Sequence, residues 1–159
     1  MKHPIPLTAV VLLLGILLPA GQATAQDSND LFRGSSWRLV SGGFERGGKK
    51  VRLTPPRLQG FLMFDSSDHF LIVVTRSPRA GAKGAGTPTL QKNVACFGTY
   101  SIDSADHTIN VHIEGSTFPK WTGTDQKRRF TVAGDDLKWT NSPSASGPGT
   151  AELAWKRVR

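Results

Sequence analysis

The sequence predicts an all-β domain of antiparallel strands, closed as a barrel or stacked as a sandwich. Three observations predict it. Short runs rich in β-branched and aromatic residues recur along the chain, several with period-two alternation. Turn-forming clusters such as "DSSDH", "DSADH", "AGDD" and "SPSASGPG" separate them. The spacing of the later runs is tight enough to require hairpins, hence antiparallel neighbours.

The chain opens on a segment with the three-part layout of a secretory signal peptide. Lys2 gives a positive start, residues 7–18 an apolar run, and Ala23, Thr24 and Ala25 the small residues of a cleavage site. The expectation is a signal peptide over 1–25, cleaved after Ala25, one domain over 26–159, and a secreted or periplasmic destination. The apolar run is too short for a membrane span, which takes about 20 residues, and no later stretch could cross a bilayer. The polar residues 26–36 read as a short lead-in. Strands follow over 37–41, 58–64, 69–75, 94–102, 108–114, 128–133, 137–140 and 151–158. Two segments read as loops. In 44–57, Pro55 and Pro56 stop regular structure. In 77–93, Gly and Pro leave room for one helical turn near the end.

Composition narrows the function. Twenty Lys and Arg stand against twelve Asp and Glu, a net charge of +8. The positive residues are scattered, with no helical stripe and no interleaved aromatic platform, which argues against nucleic acid. Attraction to anionic envelope polymers or to an acidic ligand suits the pattern better. Cys96 is the single cysteine, so no intrachain disulfide forms; among apolar neighbours it reads as a small buried hydrophobe.

Several pieces recur in an order and spacing that resemble the bacterial lipocalin-like domain family. They are "GSSWRLVS" at the first strand, "LQGFLMFDSSDHF", "CFGTYSID", "VHIEGSTFPKWTGTDQKRRF", "GDDL" and the closing "LAWKR". The resemblance implies a calycin-type, lipocalin-like antiparallel barrel of about eight strands. Such a barrel has an interior wide enough for side chains or one small ligand. It implies Trp37 capped by Arg157 from the last strand at the closed end, with Trp155 on the same face. It implies no reaction and no cofactor.

Five residues are candidates for the site. His112 and Glu114 share one face of their strand with Asn110, opposite Ile109, Val111 and Ile113. Either the aliphatic face is inward and His112 and Glu114 are in water, or the polar face lines a cavity. In the second case the two could form an acid–base pair. Arg128 and Arg129 fall on opposite faces. An inward Arg128 needs a carboxylate or an anionic ligand, and Glu114 is a competing internal partner. Trp121, in the loop "FPKWTG", reads as a rim aromatic, and Tyr100 as an inward residue whose hydroxyl needs a partner. His69 and His107 sit in turn sequences, so three converging metal ligands are not in view. Trp139 reads as core. No nucleophile elbow, phosphate-binding loop or dinucleotide fingerprint occurs.

The favoured expectation is a non-catalytic binder of a small hydrophobic or amphipathic molecule, anionic as one case. Tyr100, His112, Glu114, Trp121 and Arg128 are its contacts. Two rivals stand beside it. One is an isomerase- or cyclase-type barrel enzyme using His112 and Glu114. The other is a filled barrel acting through its basic surface on envelope polymers.

Overall fold

The computed structural model describes residues 25–46, 48–77, 93–141 and 149–159. The segment read as a signal peptide, apart from Ala25, and most of the Gly-rich loop 77–93 lie outside the described residues. Nine antiparallel strands follow one helix: α1 (Ala25–Phe32), β1 (Ser35–Arg46), β2 (Lys49–Leu53), β3 (Leu58–Phe64), β4 (His69–Arg76), β5 (Val94–Asp103), β6 (Thr108–Ser116), β7 (Thr124–Ala133), β8 (Asp136–Asn141) and β9 (Ala151–Val158). Strands β1 and β3 to β9 pair in chain order, and β9 returns to β1. That is a closed eight-stranded barrel with β2 as one extra strand.

β1 holds the closure together. One of its edges runs beside β9 from Ser36 to Phe44. Its other edge pairs first with β3, over Ser35 to Arg38, and then with β2, over Gly42 to Arg46. A bulge between Leu39 and Ser41 lets the strand turn from one partner to the other.

Alternation sends one face of each strand inward. Leu58, Leu62 and Phe64 of β3, Phe70, Ile72 and Val74 of β4, and Ile109, Val111 and Ile113 of β6 are buried. They meet Leu137 and Trp139 of β8 and Leu153 and Trp155 of β9 in one core. The bulge between β5 and β6 depends on Gly98: a Cβ there would come 1.9 Å from the carbonyl oxygen of His112.

The two ends of the barrel differ. α1 closes one of them. Its last residue, Phe32, is fully buried and packs edge-on against Phe64 (5.1 Å between ring centres) and Phe130 (5.0 Å). Gly34, at φ +66°, turns the chain from helix into β1, a conformation that favours glycine. Ser35 donates to the carbonyl of Phe32, and Trp37 donates its indole N–H to Ser35 at 2.8 Å. The Arg157 guanidinium lies 4.8 Å over the Trp37 ring and donates to the Leu31 carbonyl. The opposite end, the mouth, is framed by β2, the start of β5, the 3-10 turn Pro119–Trp121 and the start of β9.

Three expectations need correction. Residues 44–57 are not all loop: β1 continues to Arg46, and Gly48 at φ +73° turns it into β2. The lead-in is not irregular, because burying Phe32 against the barrel floor gives its polar residues a reason to coil into α1. β7 begins at Thr124 rather than 128. Arg128 is therefore a mid-strand residue and not a fraying end.

Candidate functional site

The stretch "TDQKRRFTV" shows strict alternation in the folded chain. Gln126, Arg128, Phe130 and Val132 turn inward from β7, while Asp125, Lys127 and Arg129 face water. Arg128 is only 4 % exposed. Its terminal nitrogen donates to the side-chain oxygen of Gln126. Gln126 in turn donates through Nε2 to Thr124 Oγ1 at 3.0 Å, and Thr124 donates to the carbonyl of Trp121 at 2.7 Å. The Trp121 ring stands 5.6 Å from the Arg128 guanidinium and stacks on Phe118 at 5.2 Å. A relay of neutral groups thus ties the rim turn to a buried cation.

Among the described residues the cation has no counter-charge. Its Nε is buried with no hydrogen-bond partner. Among the described residues no carboxylate forms an ion pair with it. The sequence of the segments 78–92 and 142–148, outside the described residues, contains no Asp or Glu. The carboxylates carried by strands, namely Glu45, Asp103, Glu114, Asp125, Asp136 and Glu152, alternate with inward residues and lie on the outer wall. Burial accordingly pulls the Arg128 pKa down to about 10, with nearby Cys96 working the other way. Cys96, itself buried on the inner face of β5, is pushed up to about 11 by the same loss of water, opposed by the Arg128 charge.

A second cation stands at the mouth. Arg76 ends the inward series Phe70, Ile72, Val74 on β4 and lies 4.8 Å over the Phe44 ring. Burial lowers its pKa, and Arg57 lowers it further.

Of the five candidates, the structure brings together Arg128 and Trp121. Tyr100 is inward but belongs to the closed end: its ring meets Phe64 at 4.8 Å and its hydroxyl donates to the Asp65 carbonyl at 3.3 Å. His112 and Glu114 lie on the outer wall. The His112 side chain is 48 % exposed and its Nδ1 sits 2.7 Å from Asp125. Glu114 is exposed at the β5–β6 bulge. Of the two alternatives, the one with the aliphatic face inward and His112 and Glu114 in water holds, and Glu114 forms no ion pair with Arg128. The physical reason is the aliphatic face: Ile109, Val111 and Ile113 take the interior and force the polar face out. An acid–base pair of His112 and Glu114 next to Tyr100 and an arginine is not formed. Gln126 and Thr124 are the site residues the sequence reading missed, although counting back from Arg128 in steps of two reaches first one and then the other. Among the described residues, no group of three His, Cys, Asp or Glu side chains is placed to hold a metal ion.

A closed antiparallel barrel with a plugged end, a framed mouth and a cation on its inner wall defines a class: small β-barrels of the ligand-binding kind. The comparison with protein families gives the particular assignment. The lipocalin-like domain matches residues 35–158, so the chain belongs to the lipocalin-like family. No curated protein matches the chain.

Proposed function

We propose that the protein is an exported, non-catalytic binder of a small amphipathic molecule whose anionic group is held at Arg128 inside the barrel. The observation that carries this reading is the buried guanidinium with an unpaired Nε and no carboxylate on the inner wall. A lone buried charge is strongly unfavourable, and the penalty is relieved when an opposite charge meets it with hydrogen-bond geometry. A ligand carboxylate or similar anion supplies both. Trp121 covers the guanidinium from the rim, and Leu58, Val74, Ile113 and Leu153 offer apolar surface for a tail. The signal-type N-terminus supports export, and the family supports ligand binding in general.

Calorimetric titration of the chain 26–159 with decanoate tests the reading. Saturable binding of one decanoate per barrel, weakened about tenfold or more by Arg128→Met, is the expected result, since hydrogen bonds to charged groups contribute about 1.5–3 kcal/mol. Absence of saturable binding, or equal binding by the variant, overturns it.

A further inference from the structure

The relay behind Arg128 has a direction, and the direction has a consequence. Thr124 gives its hydroxyl hydrogen to the Trp121 carbonyl, so only its lone pairs face Gln126. Gln126 must therefore offer its amide nitrogen to Thr124, which turns its amide oxygen toward Arg128. The guanidinium is held by a neutral acceptor. One position away, Asp125 carries a carboxylate, but on the outer face, where it pairs with His112. The interior arginine is thus oriented without being neutralised.

We propose that Gln126 is the specificity-determining residue of the barrel site: it fixes Arg128 while leaving its charge open, so that the site selects a ligand with a single negative charge, a carboxylate head group, over a neutral ligand of the same shape. This rests on the binding role proposed above. The single charge follows from the surroundings. Gln126, Trp121 and Cys96 around Arg128 add no second cation, and the other inward arginine, Arg76, lies over Phe44 at the mouth, so a dianion held at Arg128 would bring a second, unmatched charge into the barrel. The carboxylate follows from the open donor: an oxygen accepting from Nε satisfies a buried unpaired N–H and the charge in the same contact.

The test uses a matched pair of ligands, decanoate and decan-1-ol, with the wild-type chain 26–159, Gln126→Glu and Gln126→Leu. Wild type is expected to bind decanoate about tenfold or more tighter than decanol, the effect of one charge-assisted contact. Q126E places a resident carboxylate on Arg128. It should lose the preference for decanoate over decanol, and its thermal midpoint should equal or exceed the wild-type value. Q126L removes the hydrogen bond but no charge, so it should keep the preference for decanoate. A Q126E variant that still prefers decanoate overturns the role of Gln126 and leaves the binding role standing. So does a Q126L variant that loses the preference together with Q126E, because the residue then acts by hydrogen bonding alone. A Q126E protein that melts below wild type counts against the internal ion pair. Wild type that does not distinguish the two ligands overturns the charge selection, and wild type that binds neither overturns the binding role as well.

Discussion

Each end of the barrel has an arginine against a tryptophan, and the two pairs are built on different terms. At the closed end Arg157 lies 4.8 Å over Trp37, donates to the Leu31 carbonyl and keeps part of its surface in water. Toward the mouth Arg128 lies 5.6 Å from Trp121, donates to a side-chain amide and is buried with its Nε unpaired. The first pair completes a plug: a backbone carbonyl and solvent finish the guanidinium's hydrogen bonding, so the stacking energy is retained. The second holds a buried cation with no carboxylate paired to it among the described residues. The same two residue types thus complete a plug at one end and, on the function proposed above, would serve recognition at the other.

The largest expected effect falls on the plug. Trp37→Ala should destabilise the fold by about 3–5 kcal/mol in urea unfolding, because it opens a cavity under α1 and strips the platform from Arg157. A loss under about 1 kcal/mol would mean that the closed end contributes little and that the contrast between the ends is false. The next effect has the opposite sign. Arg128→Met should raise stability by about 1–3 kcal/mol, since an apolar side chain of similar length removes an unbalanced buried charge. At neutral pH the folded Arg128 bears a penalty because its pKa lies below the unfolded value; from about 10 upward, until the unfolded arginine itself titrates, the unfolded chain holds a proton that the fold has released, so stability rises with pH there. The gap between wild type and R128M should narrow across that window. A destabilised R128M would show that Gln126 and Trp121 already balance the cation. The smaller counterpart is Arg157→Met, which should lower stability by about 1 kcal/mol through the lost stack and carbonyl bond. Opposite signs for R128M and R157M in the same unfolding assay are the sharpest form of the comparison.

Much of this was readable from the chain. Period-two alternation located the strands β3, β4, β6 and β9 but left open which face of β6 is inward, and the pairing of Trp37 with Arg157 followed from the family resemblance. What escaped was structure created by tertiary contact. α1 is eight residues of mostly polar chain, too short to hold itself, and exists because Phe32 fills the barrel floor. β2 is Lys-rich with a single buried side chain, Leu53, so its strand character rests on pairing with β1. The start of β7 was hidden by charge: "TDQK" reads as a turn until alternation is counted back from Phe130. That miss removed Thr124 and Gln126 from view and left Arg128 at an apparent strand end. His112 and Glu114 drew attention as a chemical pair, but the three aliphatic residues between and beside them settle which face is wet.

The smallest expected effect is on the one thiol, and it tests which force governs the mouth half. Cys96 feels two opposed influences. Loss of water disfavours the thiolate, and the positive charge of Arg128 favours it; burial wins and the pKa stands at about 11, up from 9.0. A raised pKa means that the fold holds the thiol proton more tightly than the unfolded chain does. The associated stability is fully present below 9 and is lost as pH rises through about 11. At pH 8 the native thiol should therefore react with iodoacetamide far more slowly than the same protein in urea, where both exposure and the ordinary pKa return. R128M sharpens the point: removing the charge takes away the only influence favouring the thiolate, so the native thiol should become slower still. If R128M instead leaves the rate unchanged, the Arg128 charge does not reach Cys96 inside the barrel. If native and unfolded protein react alike, the inner wall of β5 is open to water and the seal around Arg128 fails with it.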